Sequence, residues 1–423
     1  MISSSMPTLK LSEVFYTNRV NYSKSLSWDY MNYLDTGNIT KGEIHNIELI
    51  NVNETKIPSR ARRIAQENDI IFSLVRPNQC HYGLIKNPVK NLVVSTGFIV
   101  LTPKTNQISS NYIYHYLTQN HIVEKLHKIA EDNASTYPSL RPSDIESLEL
   151  NLPDILTQKK IANILDSLLE KMALNNKINK TLEEMAQVIF KSWFVDFEFP
   201  DENREPYKSS GGEMIESELG MIPKGWKVSI LNDVINIIDN RGKTPPQEPN
   251  KTIYPIIDVK ALSGYTRVID YSDCTKYVSK ETYNNWFRNG HPIHGDILIS
   301  TVGSLAELKI FMGSTGCIAQ NVVALRAKTI SNLYLFELLK KNKNDLVSYD
   351  IGSVQPSIKV THIIKHKILI PNFIVMDQFH QLMNEITNEV FVRHNENVLL
   401  TSMRDTILPK LMSGEIRIPL EEV

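Results

Sequence analysis

The chain repeats itself, and a repeat constrains architecture more than any single motif, because each copy has to fold in the same way. Residues 137–153, YPSLRPSDIESLELNLP, overlay residues 355–371, QPSIKVTHIIKHKILIP, without a gap, so that Pro138-Ser139 meets Pro356-Ser357 and Pro153 meets Pro371. Upstream, Asn68-Asp69-Ile70-Ile71-Phe72-Ser73 resembles Gly295-Asp296-Ile297-Leu298-Ile299-Ser300, and the run from Ser95 to Leu101 resembles that from Ala319 to Leu325. Ser110-Asn111 and Ser331-Asn332 each open an apolar, helix-like run. Landmarks in one order, about 220 residues apart, describe one unit used twice with loop insertions.

Each copy has two parts. The first alternates short β-like runs with a few helical ones: Ile70-Ile71-Phe72, Phe98-Ile99-Val100 and Leu148-Leu150-Leu152 in one copy, Ile297-Leu298-Ile299, Val322-Val323 and Ile368-Leu369-Ile370 in the other. The second part, after Pro153 and Pro371, changes to a helical period. The expected fold is therefore α+β: two globular domains of mixed α/β structure at 1–153 and 221–371, and long spacer helices at 154–198 and 372–412. A linker at 199–220 is polar and rich in Pro, Gly and Ser, and a tail follows at 413–423. Two copies joined this way predict an antiparallel helix pair and an internal pseudo-two-fold repeat.

From Ile155 to about Phe194 there is no Pro and no Gly. Ile161, Leu168, Asn175, Leu182 and Ile189 recur by sevens, and Ile164, Leu165, Met172, Ile178 and Met185 fill neighbouring positions, which is a coiled-coil seam. Phe379, Ile386, Leu400 and Ile407, with Leu382, Met383, Val390 and Met403, repeat the pattern; Arg393 interrupts it, and Asn395 lies near the place of Asn175. Neither stripe has another obvious partner, so the two helices are expected to pack on each other, with Asn175 in position to set their register. About 38 helical residues make a rod of roughly 55–60 Å.

Bulk properties narrow the function. With 42% hydrophobic residues the chain can build two or three domains, and it has no apolar run of roughly 18 residues to span a membrane. The start, MISSSMPTLKLSEVF, lacks the pattern of a signal peptide. Cys80, Cys274 and Cys317 are odd in number and scattered, which fits free thiols in a reducing cytoplasm. Net charge is −1, but residues 221–371 hold 19 Lys and Arg against 12 Asp and Glu, while residues 1–150 hold 15 against 14.

The order of domain, long helix, domain, long helix resembles the specificity subunit of type I restriction-modification systems. Ile222-Pro223-Lys224-Gly225-Trp226-Lys227, Arg241-Gly242-Lys243-Thr244-Pro245, Asp258-Val259-Lys260, Gly295–Ser300 and Leu408-Pro409-Lys410-Leu411 look like phrases of that family, as do Gln158–Ala162 and Phe190–Phe197 on the first helix. The resemblance covers essentially the whole chain. It implies two target-recognition domains, each reading half of a bipartite site in double-stranded DNA. It also implies helices that set the spacer and dock two methyltransferase subunits, which carry S-adenosylmethionine and methylate adenine. A separate restriction and translocase subunit would join them. The chain itself would be non-catalytic and cofactor-free.

Enzyme readings fit the residues less well. A methyltransferase needs a glycine-rich cofactor loop and an Asn/Asp-Pro-Pro-aromatic motif, whereas Pro245-Pro246 follows Thr244 and precedes Gln247. Gly242-Lys243-Thr244 ends like a phosphate-binding loop, but the first glycine of that pattern would fall at Ile237. The alternative function is a metal-dependent DNA endonuclease using Asp258 and Lys260, with Asp239 as a further carboxylate. The first copy has Asp35 at the matching place without the lysine, so structural use of Asp35 and Asp258 in loop backbone hydrogen bonds is the expected role. His291 and His294 read as loop residues, and a protein-binding scaffold is a third reading.

Base reading in the major groove uses Arg for guanine and Asn or Gln for adenine; phosphates take Lys, Arg and hydroxyls. The candidates in the first domain are Lys56, Ser59, Arg60, Arg62 and Arg63, then Arg76, Asn78 and Gln79, then Ser135 and Thr136 before the repeated Pro-Ser. In the second they are Arg241, Lys243, Lys260, Thr301, Ser304, Ser353, Gln355 and Ser357. Domains that read unlike half-sites should disagree at base-reading positions, as Arg76 does with Gly303.

Overall fold

A computed structural model describes residues 7–133, 137–352 and 354–418. It divides into two compact units: residues 1–171 with 399–423, and residues 172–398. Each long helix, Ile155–Phe194 and Phe373–Ser413, begins in one unit and ends in the other.

The first unit is built on an antiparallel sheet in the order Phe15–Thr17, Phe98–Pro103, Ile70–Ser73, Tyr82–Leu84. A second sheet, Glu48–Asn51, Tyr30–Leu34, Leu92–Ser95, Ala61–Ile64, contains one parallel pairing, between Tyr30–Leu34 and Leu92–Ser95. The strand runs Ile70–Phe72 and Phe98–Leu101 are buried throughout, so these segments read as continuous apolar runs rather than alternating ones. Ile161 and Leu165 of the first long helix and Leu408, Leu411 and Met412 of the second join this unit's core.

The second unit repeats the first sheet: Ile235–Ile238, Val322–Ala327, Ile297–Ser300, Leu308–Ile310, all antiparallel. Matching contacts recur in detail. The Ser109 and Ser331 hydroxyls cap helices Ser110–Leu117 and Asn332–Lys341 by accepting backbone N–H bonds. Three residues on, the Tyr112 hydroxyl donates to the Asn151 carbonyl and the Tyr334 hydroxyl to that of Leu369. The repeated Pro-Ser closes the same loop in both: Arg76 N–H donates to Pro138 O at 3.0 Å and Gly303 N–H to Pro356 O at 2.9 Å.

Two expectations are corrected here. The segment 199–220 is not an open polar linker, because its aromatic residues are packed: Phe199 is buried and stacks on Tyr207 at 4.6 Å and on Trp226 at 5.3 Å, and Met214–Ser217 pairs with Gly220–Pro223. In the helices, Ile164, Met185 and Met403 lie exposed rather than in the seam. The buried line of the first helix passes from Ile161 and Leu165 to Asn175, Asn179, Glu183, Ala186, Phe190 and Phe194. That spacing follows the ordinary α-helical period of about 3.6 more closely than a strict heptad of 3.5. Leu168, Leu182 and Ile189 are half-buried, as are Leu400 and Ile407, whereas Phe379 and Ile386 are buried. Asn175 is fully buried and donates to Glu396 at 2.7 Å and Asn397 at 2.9 Å; Asn395, expected near it, is exposed.

Candidate DNA interface

In the first unit, loops gather around the turn Thr96-Gly97. Thr96 N–H donates to Arg60 O and Leu74 N–H to Gly97 O, both at 2.8 Å, and Arg76 is tied to Pro138 as above. Arg60 and Arg76 are therefore exposed on loops fastened to one end of the sheets. Arg76 sits at φ 45°, a left-handed conformation that costs a residue with a Cβ, and it opens the short turn Pro77–Gln79. Asn78 and Gln79 are exposed on that turn, and the Gln79 side-chain oxygen lies 3.2 Å from His81 Nε2. Lys56 and Ser59 are exposed on the preceding loop, and Arg62 folds back so that Nε donates to Ser59 O at 3.3 Å. Arg63 points the other way on its strand and is half-buried; burial lowers its pKa, and its Nη1 is enclosed without a hydrogen-bond partner. It is thereby removed from the exposed set. Ser135 and Thr136 lie outside the described residues.

In the second unit the same sheet end carries different chemistry. Arg241 is not available as expected: Asp239 clamps its Nε and Nη2 at 2.9 and 2.7 Å, and these bonds outweigh burial to hold the Asp239 carboxyl below its ordinary range. Thr301 is buried, with N–H and hydroxyl both donating to Asn321 O, so it holds the turn rather than facing a ligand. Ser357 is half-buried; its N–H and that of Gly352 donate to Asp350, closing the loop and keeping that carboxyl below its usual range. Lys243, Lys260, Ser304 and Gln355 are exposed, and Ser353 lies outside the described residues.

Two concavities collect residues that sequence reasoning missed. One, of about 320 Å³, is lined by Thr244, Gln247, Lys260, Lys276, Gln320 and Asn321, among others. The other, of about 270 Å³, joins Lys243 to Asn240, Asn285, Trp286 and Arg288. The signal for Gln320 and Asn321 was present: two amides stand where the first copy has Thr96 and Gly97.

The endonuclease residues are engaged otherwise. Asp258 accepts from Lys260 N–H at 3.1 Å, while the Lys260 ammonium pairs with Asp273 at 3.2 Å and Asp239 is held by Arg241. Among the described residues no three His, Cys, Asp or Glu side chains form a metal-ligand group. Asp35 differs from the expectation: it accepts from the Tyr33 hydroxyl at 3.1 Å instead of capping its turn. His291 stacks on Tyr283 at 3.7 Å, and burial lowers its pKa. Cys80, Cys274 and Cys317 are free, and burial pushes the latter two thiols up to about 12. No helix among the described residues is long and apolar enough to cross a membrane.

Both units present arginines, lysines or amides on loops at their sheet ends, residue types suited to phosphates and base edges. The model of the type I restriction modification DNA specificity domain matches residues 4–184 and again 223–390, and the chain belongs to that family. It is 27% identical over 439 residues to the type I restriction enzyme HindI specificity subunit of Haemophilus influenzae, covering 91% of this chain and 94% of the other. It is also 27% identical over 396 residues to the MjaIX specificity subunit of Methanocaldococcus jannaschii, covering 90% and 86%. The S subunit crystal structure from M. genitalium shares the fold, with a TM-score of 0.55 at 14% identity over 99% of this chain and 98% of that one.

Proposed function

We propose that the chain is the non-catalytic specificity subunit of a type I restriction-modification complex, each unit reading one half of a split DNA site. The observation that carries this is a repeated frame with unlike loop ends: Arg76 and Gly303 hold the same carbonyl contact, yet only one presents a side chain. A guanidinium there suits guanine, and the amides opposite Thr96 and Gly97 suit adenine. In this reading the two helices form an antiparallel coiled coil related by a pseudo-two-fold. They set the spacer and dock two methyltransferase subunits that bring S-adenosylmethionine; a restriction and translocase subunit completes the assembly in the cytoplasm.

Methylome sequencing of cells that express the chain with its methyltransferase partner tests this. The expected result is a split, adenine-methylated motif that disappears when the chain is deleted; methylation independent of the chain overturns the reading. Arg76→Gly separates recognition from folding. It removes the left-handed penalty of about 1–2 kcal/mol but loosens the unfolded chain by about 0.5–1 kcal/mol. Its unfolding midpoint should hold or rise, while discrimination at one position of one half-site falls. A drop in stability together with an unchanged motif would show Arg76 to be structural.

A further inference from the structure

The concavity beside the Gln320-Asn321 turn is more than a gap between loops. Gln320 holds φ 67°, a backbone state in which glycine is the unstrained choice, and yet it carries an amide. Its Nε2 donates one hydrogen to Thr244 Oγ1 at 3.0 Å, which fixes the amide plane. One N–H and the side-chain oxygen are left as an adjacent donor and acceptor. That pair matches N7 and the N6 amino group of adenine in the major groove. Lys260 and Lys276 line the same cavity, as does Asp258; Lys260 pairs with Asp273 at 3.2 Å and Lys276 with Asp258 at 3.8 Å. Both lysine side chains are at least half exposed, and exposed ion pairs of this kind are weak enough for a phosphate to displace. The cavity thus brings together an oriented amide and two ammonium groups, the combination that separates base reading from backbone grip.

We propose that this cavity determines one half of the recognised sequence, with Gln320 reading an adenine, Thr244 positioning its amide, and Lys260 and Lys276 holding the adjoining phosphates. The inference rests on the reading of the chain as a DNA specificity subunit. It assigns this adenine contact to the second unit alone, because Thr96 and Gly97 leave the first without an amide at the equivalent turn.

The test is the methylome of cells carrying the full complex with Gln320→Ala, Gln320→Glu or Thr244→Val. Gln320→Ala should relax one adenine position of one half-site, lowering discrimination there by about ten- to a hundred-fold, with the other half-site and the spacer unchanged. Gln320→Glu leaves only acceptors and should move that position towards cytosine. Thr244→Val should weaken discrimination at the same position and no other. An unchanged motif in Gln320→Ala, or loss of all methylation in both Gln320 variants, overturns the assignment. A wild-type chain that directs no split motif would instead remove the underlying functional reading.

Discussion

Replacing Arg267 with methionine is expected to destabilise the second unit by about 3–5 kcal/mol. Arg267 is fully buried and is held from three elements at once. Its Nε and Nη2 donate to Glu183 at 3.1 and 3.2 Å, Nη2 also donates to Glu337 at 2.9 Å, and Nη1 donates to the Thr387 hydroxyl at 2.9 Å. Glu183 lies on the first long helix, Thr387 on the second, and Glu337 on the helix Asn332–Lys341. Burial disfavours the Glu183 carboxylate, but Arg267 and Lys340 outweigh it and keep its pKa below the ordinary value. Methionine matches much of the arginine stem, so packing is largely kept. What is lost is the cation, and two buried carboxylates are left with Lys340, which reaches Glu183 at 2.9 Å. An exposed pair would contribute only about 0–1 kcal/mol, so the size of the effect separates the two cases. Trp193, Trp226 and Trp286 fall in this unit against Trp28 in the other, which makes tryptophan fluorescence in urea a suitable probe. A loss under about 1 kcal/mol would mean that the network is effectively solvated. Converting Arg267, Glu183 and Glu337 together to apolar residues should recover most of the loss, since the buried charges then leave as a set.

The same network shows why part of the fold was hidden in the sequence. The repeat was legible because both copies keep residues whose backbone roles are fixed, such as Pro138 and Pro356 or Ser109 and Ser331. The long helices were legible because forty residues without Pro or Gly in the first, and thirty-six before Pro409 in the second, leave few other structures open. Their inner face was legible only in part. Asn175 falls in the register of the apolar residues, but counting apolar residues cannot find the buried Glu183, which is acceptable there only through Arg267 and Lys340, distant in the chain. The interface divided in the same way. Arg60 and Arg76 are exposed basic residues, as their place in polar loops suggests, whereas the pairing of Arg241 with Asp239 is not apparent from the sequence. Gln320 was passed over although the copies differ there, because the sequence does not show Thr244, 76 residues away, brought beside it.

Inserting four residues into each long helix, after Lys171 and after Val398, is expected to lengthen the spacer of the methylated motif and leave both half-sites unchanged. These points lie where the chain passes from one compact unit to the other, so neither core is cut. Four residues add about 6 Å of helix. At about 3.4 Å per base pair this allows no more than two further base pairs. Rotation narrows the choice. Four residues exceed one turn of about 3.6 by roughly 40°, close to the rotation of one base pair in a duplex of about 10–10.5 base pairs per turn. The half-sites should therefore move apart by one base pair, or by two if the helices unwind locally to absorb the insertion, as paired helices do with four-residue insertions. The readout is the motif itself, from methylome sequencing of cells carrying the variant with its methyltransferase. An unchanged spacer at full methylation would show that the helices are not the ruler. A longer spacer with an altered half-site would show that the insertion disturbs a recognition unit, so length and identity are tested separately by one measurement.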